Sequence, residues 1–398
     1  MKSSPVYRSL PVAFFILLLA GLLWSRSLLS IAEGLALAYG IVTFNKQTNN
    51  LFKEAVIWSI CPLLLFWLGA YQTNRIQWND FDYLLTLAAY PAAVFFMISL
   101  NAKQQQQVLY LWTGAVFLSL LYPLGWYTLH IKEALLRIKM GQSLPAFMNG
   151  DHVRYSLFVC SGFLILFQYK LFSKKLQIIL TVLLAGIIVF LSVRTAWVAL
   201  AIILLVNVIG KIKWYYFATI IVLCAVTGLA VYKLVPTVQQ KINYTIYDWE
   251  MYNTKIYSAD FSDGARRTIN DVAWQAVIKN HQSNIGWSNV PPVLQEQFHR
   301  QYPFSVMKYG WPFNQFLFWW MGAGFTGILL FTVWLLYPVF IFYKTGNRAL
   351  LSWTLVITAS CMVESSLNMQ YGVLLHGWMM GLFFVQNKTG IPISKASL

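Results

Sequence analysis

The sequence predicts an all-α protein, a polytopic membrane bundle of about 12 transmembrane helices with one long external loop that itself contains helices. Three observations point there. Hydrophobic residues make up 58% of the 398 and charged residues only 11%, with a mean hydropathy of +0.58, whereas a soluble chain carries roughly a quarter charged residues. The apolar residues gather into runs near the length of about 20 that crosses a bilayer. Backbone groups in lipid must be satisfied within the segment, which selects helix. Disordered, collagen-like and disulfide-scaffold classes are excluded by the same composition. The net charge of +16 could suit a nucleic acid, but the bases lie in short clusters between apolar runs, where they set topology instead. No nucleic-acid partner is expected.

In chain order the runs are roughly 9–25, 27–45, 55–72, 82–100, 107–128, 154–172, 175–193, 195–210, 213–235, 315–342, 349–364 and 370–387. Ser25-Arg26-Ser27 separates the first two. The stretch 175–210 reads either as one broken segment or as two spans hinged at Val193-Arg194. With the N-terminus inside, one side carries Lys2, Arg8, Lys46, Lys53, Lys103, Lys170, Lys174, Lys175, Lys211, Lys213, Lys344, Arg348, Lys388 and Lys395 against a single acid, Glu54. The excess of Lys and Arg in short loops makes that side cytoplasmic. Lys2 and Arg8 before an apolar core look like a signal peptide, but with many spans following, the segment reads as the first anchor. Cys61, Cys160, Cys224 and Cys361 all fall in or beside apolar runs, which argues against a disulfide framework or a Cys-based metal site.

Two external segments remain, 129–153 and the longer 236–313. The chain thus divides into an N-terminal membrane bundle (1–235), a large loop (236–313) and C-terminal membrane helices (314–398). Tyr244, Tyr247, Trp249, Tyr252, Tyr257, Phe261, Trp287 and Tyr302 stud the long loop, and loops of this length in compact proteins are usually functional. From about Asp263 to Lys279 the apolar spacing of Ile269, Val272, Ala273, Ala276 and Val277 predicts a helix. Gly286 and then Pro291-Pro292 are expected to end the regular pattern.

Three elements could carry chemistry. Arg194, flanked by apolar span, costs a few kcal/mol unless paired or hydrated and is a functional candidate by default; the alternative is an arginine snorkelling to the headgroups. Arg266-Arg267 opens the predicted loop helix. An arginine fork suits a diphosphate, and a helix N-terminus adds backbone N–H groups aimed at the same anion. The alternative is a solvated pair balanced by Asp263 and Asp271. The third element is Pro312-Phe313-Asn314-Gln315-Phe316-Leu317, running into Gly324-Phe325-Thr326-Gly327. Asn314 is expected to cap a helix, and the glycines to let the span pack closely on a neighbour.

Taken in this order, the three elements resemble the O-antigen ligase and polymerase superfamily of bacterial envelope proteins. Ser192 and Arg194 resemble its Ser-x-Arg-like element. Arg267, with His281 and Ile285-Gly286-Trp287 after it, is similar to its loop-helix element. Asn314, Leu317, Gly324 and Gly327 are similar to its His-Asn-x-x-Leu segment and following glycines, except that Phe313 stands where the family often has histidine. The resemblance covers roughly 150–387.

That resemblance implies a multi-pass protein of the bacterial inner membrane with its active site facing the periplasm. It implies glycosyl transfer from an undecaprenyl-diphosphate-linked glycan donor to lipid A core, or, as a polymerase, to another lipid-linked sugar acceptor. Arg194, Arg267 and Asn314 are the expected catalytic residues; Ser192, Arg266, His281 and Arg154 are the expected substrate contacts. No cofactor or metal is expected. Asp80-Phe-Asp82 is a D-x-D pattern, but two acids on a short loop do not complete a cation site. Glu33 and Glu364 are expected to pair with an arginine or line a polar cavity. His130, His152, His281, His299 and His376 complete the inventory of possible bases. A lipid-linked oligosaccharide flippase and a non-catalytic scaffold are the alternatives of another class. The gathering of polar residues on one face without a repeat favours an enzyme over a transporter.

Overall fold

The computed structural model describes residues 5–43, 50–72, 78–208, 222, 226–254, 262–279, 283–303 and 310–386, and among these it contains helices and no β-strand. Most of the apolar run 213–235, His281 and Cys224 lie outside the described residues. Every other apolar run is helical. Among the described residues, three helical stretches are long and apolar enough to cross a membrane, Phe81–Ser99, Ala102–Leu129 and Gln315–Thr345. Ser9–Trp24, His152–Gln168, Arg194–Val208 and Arg348–Val363 are shorter apolar helices.

The chain packs as two units. One comprises 1–111 and 266–391; the other is built on 112–265. This division follows packing, whereas the division at 235 and 313 follows expected membrane topology, so the two need not coincide.

In the first unit, helices Pro5–Trp24 and Arg26–Thr43 form a tight hairpin. Gly21 makes it possible, because a Cβ there would stand 2.6 Å from the backbone of Leu29. The centre of the unit is aromatic. Trp58 and Trp334 stack at 5.3 Å, and each indole N–H donates to the other residue's carbonyl, at 3.3 and 2.9 Å. Stacking and reciprocal hydrogen bonding satisfy the polar handle of both rings inside an apolar core. The start of helix Ala102–Leu129 is closed by a reciprocal cap. Gln104 N–H donates to Asn101 Oδ1 and Asn101 N–H to Gln104 Oε1, both at 3.0 Å, which satisfies two N–H groups that the helix cannot.

The second unit is organised around helix His152–Gln168, buried along nearly its whole length. Gly162 admits the Val116 side chain, and Trp112 Nε1 donates to Ser161 Oγ at 2.8 Å. At the far end Gln168 Nε2 donates to Asn207 Oδ1.

Within 236–313 the described residues are largely helical. Helix Pro236–Asn253 begins on its proline, where fixed φ and a missing N–H cost nothing. Helix Ser262–Ile278 lies where apolar spacing predicts one. Pro291-Pro292 does not end a pattern as expected: the pair occupies the first turn of helix Val290–Gln301, the position that tolerates proline best.

Candidate functional site

Arg194 owes its position to a sharp turn. Helix Lys174–Phe190 ends, Ser192 takes a left-handed φ of 55°, and Arg194 opens the next helix. A left-handed serine is uncommon and is stabilised here by local hydrogen bonds. Its Oγ donates to Phe190 O at 3.1 Å, an oxygen that also accepts from Thr237 Oγ1 at 3.0 Å.

The Arg194 guanidinium meets Asp263 as a fork. Nη2 donates to Oδ1 at 2.6 Å and Nη1 to Oδ2, while Nη1 also donates to Thr245 Oγ1 at 3.0 Å. Two parallel charge-assisted bonds fix the plane of the guanidinium as well as its position. Asp263 is itself held, because its N–H donates to Asp248 Oδ2 at 2.7 Å and the Gly264 N–H to Asp248 Oδ1 at 3.0 Å. Asp248 is buried. The N-terminus of helix Ser262–Ile278 was expected to offer its N–H groups to a substrate anion. Two of them instead bind the Asp248 carboxylate, which suits the positive end of the helix dipole.

Other polar residues of this unit are equally committed. Lys241 Nζ donates to Gly141 O at 2.7 Å. Arg154 is buried, and its Nη1 donates at 2.6 Å to Asp151, whose other oxygen caps helix His152–Gln168. His152 lines a small pocket with Tyr155, Ser143, Leu191 and Val193. That places one histidine beside the turn that presents Arg194.

In the first unit, Arg266 Nη2 lies 3.0 Å from Glu364 Oε2 and its guanidinium 5.4 Å over the Phe313 ring. The expected partner of Glu364 is thus Arg266. Glu33 does not meet an arginine in this way; its Oε2 accepts from Gln370 Nε2 at 3.3 Å. Asn314 caps helix Gln315–Thr345, its Oδ1 accepting from the N–H groups of Phe316 and Leu317 at 2.9 and 3.2 Å. Its Nδ2 donates to Met362 O at 3.1 Å. Gln315 next to it is buried and joins Asn368 Oδ1 and the Leu367 N–H at 2.5 and 3.0 Å. Arg267 is half-buried on the same helix as Arg266.

The glycines of this region serve a different contact from the expected one between spans. Gly324 has φ 69° and ψ −166°, which breaks helix Gln315–Thr345 internally. The break is covered by the loop 284–287. Ile285 N–H donates to Met321 O at 2.9 Å and Gly286 N–H to Gly322 O at 3.0 Å, so carbonyls near the break keep partners. Gly286 itself has φ 86° and ψ 153°, a conformation open to glycine alone. A Cβ on Gly322 would stand 2.4 Å from the Trp287 ring. A Cβ on Gly327 would meet its own helix across the break, 2.4 Å from Ala323 Cβ.

Among the remaining histidines, His130 stacks on Trp126, His299 bonds Gln295, and His376 is fully buried between Trp58, Tyr90 and Trp334. Reasoning from sequence missed Asp248, Thr245 and the Trp287 dock. The polar residues Lys241, Thr245 and Asp248 recur at helical spacing, a signal that could have flagged the first two.

Residues 179–332 match the family model described as O-antigen ligase. None of the curated proteins compared matches the chain. The matched stretch includes the Ser192-Arg194 turn, Asp263, both loop-helix arginines, Asn314 and the glycines 324 and 327. Over residues 179–332 the chain is similar to the O-antigen ligases, the family that these elements already resemble.

Proposed function

We propose that this protein is a membrane glycosyltransferase that moves a glycan from an undecaprenyl-diphosphate carrier onto an acceptor hydroxyl. The observation that carries the reading is the forked, pre-oriented Arg194 inside the stretch that matches the O-antigen ligase family. Preorganised cations are the right tool for this reaction, because negative charge accumulates on the diphosphate as the glycosidic bond breaks. Arg194 and Arg267 bind the diphosphate in this reading, with Arg266, Ser192, Arg154 and His281 as further substrate contacts. Asn314 orients the acceptor sugar through the side-chain N–H that Met362 O does not take. Diphosphate is a good leaving group, so no strong acid is required. The site faces the periplasm across the inner membrane, with twelve spans and the 236–313 segment outside.

Lipid A core is the first choice of acceptor. Polymerisation onto a second lipid-linked unit is the other reading, favoured by Phe313 in place of histidine. Transfer is measured in a purified system with lipid-linked donor: Arg194→Ala and Arg267→Ala each abolish it if the reading holds, and wild-type transfer by both variants rules it out. Glycolipids of a deletion strain then separate the acceptors. Unattached long glycan on the carrier indicates a ligase, and single units indicate a polymerase.

A further inference from the structure

Helix Pro236–Asn253 does not sort its residues as a helix bathed in water does, since it buries two charged side chains and exposes three large apolar ones. Its buried residues are Thr237, Val238, Lys241, Tyr244 and Asp248. Its outward side carries Ile246, Tyr247 and Trp249, which are 54%, 48% and 51% exposed, interspersed with the exposed Asn243, Glu250 and Asn253. In water, an amphipathic helix turns its apolar stripe to the protein and its charges to solvent. An outer side that mixes large apolar residues with polar ones is favourable where the outer medium is interfacial, and Trp and Tyr are the residues that favour the headgroup level.

What that medium is follows from the preceding residues. Residues 226–234 are helical, with Val226, Leu229 and Leu234 pointing outward, and they close the apolar run 213–235 that reads as a span. Tyr232 and Lys233 at its end are interfacial residue types. The next helix does not continue away from that end. Tyr232 Oη donates to Asn243 Oδ1 at 3.0 Å, whereas a straight continuation would carry Asn243 about 16 Å beyond Tyr232. The chain therefore bends sharply at Val235-Pro236, which brings the Asn243 side chain within reach of the last turn of the apolar helix. Ile246 and Tyr247 follow Asn243 by three and four residues and share its face. The side that carries Ile246 and Tyr247 thus lies next to the end of the apolar helix, whose Val226, Leu229 and Leu234 are exposed.

We infer that helix Pro236–Asn253 lies in the headgroup layer of the membrane, with Ile246, Tyr247 and Trp249 set against lipid. Its inner side presents Thr245 to Arg194, and a helix with its side chains is only about 10 Å across. The helix thereby holds Arg194 near the depth at which lipids carry their phosphates, whether those of ordinary headgroups or of a lipid-linked substrate. The lipid contact rests on no assumption about glycosyl transfer.

The test uses the full-length protein in phosphatidylethanolamine–phosphatidylglycerol vesicles, with nitroxide labels on Ile246→Cys, Tyr247→Cys and Trp249→Cys and the identically treated wild type as blank. All three positions are exposed, so the labels do not disturb the core. The expected result is that molecular oxygen collides with each label several-fold more often than a water-soluble nickel chelate does. Free access of the chelate would mean that the stripe faces water, and shielding from both quenchers would mean that a protein covers it. Either result overturns the inference. Loss of transferase activity with a retained oxygen preference would bear on the enzymatic reading alone.

Discussion

Arg194 and Arg266 both answer a carboxylate, and they are held in different ways. Arg194 has both terminal nitrogens on Asp263, a third bond to Thr245, and a counter-ion that is backed by the buried Asp248. Arg266 has one close contact to Glu364 and lies over the Phe313 ring. A fork defines a plane, while a single contact and a ring face leave the guanidinium free to pivot. Two arginines that look alike in sequence are therefore a rigid fixture in one place and an adjustable arm in the other. Rigidity suits a group that must be oriented before charge develops, and freedom to pivot suits one that releases its counter-ion when an anion arrives.

The sharpest way to break this contrast is to remove each arginine. Arg194→Ala leaves Asp263 with its fork empty, and transfer is expected to fall by about a hundredfold or more. Arg266→Ala is expected to cost much less, and equal losses in a single-turnover assay would erase the distinction. Next in size is the counter-ion. Asp263→Asn gives up the charge of a two-pronged pair that is partly shielded from water and should lose about 1.5–3 kcal/mol. For Glu364→Gln the expected loss is nearer about 1 kcal/mol, so the apparent melting points of the two variants in detergent should separate in that order. Gly286→Ala probes the loop that covers the helix break. Its backbone belongs to glycine alone, and about 1–3 kcal/mol of strain should appear as a lowered melting point. The smallest effect concerns geometry: Arg266→Lys should keep most activity, because a point charge can replace a single contact, whereas Arg194→Lys cannot reproduce the fork. Steady-state rates of the two lysine variants measure that difference directly.

Much of the architecture was legible before any coordinates. The apolar runs are helices wherever they are described, and Ile269, Val272, Ala273, Ala276 and Val277 marked helix Ser262–Ile278 through their period. Asn314 was legible as a cap because capping depends on residues two and three places away. The prolines 291 and 292 misled, since proline breaks a helix interior yet starts a helix readily, and local sequence does not distinguish the two uses. The glycines at 324 and 327 were noticed for the wrong contact. Small residues there suit close helix–helix packing, but a positive φ at Gly324 turns the position into a break capped from the loop.

The sequence alone settled the helical class, the apolar segments and the residue types that could grip an anion, because composition, period and capping are properties of short stretches. Tertiary structure alone decided which acid meets which arginine. Asp263 and Arg194 are separated by 69 positions, and Glu364 is just as remote in the chain from the Arg266 that it meets. Charge pairing follows distance in space, where energies fall off within a few ångströms in a screened medium, and nothing in local spacing encodes that distance.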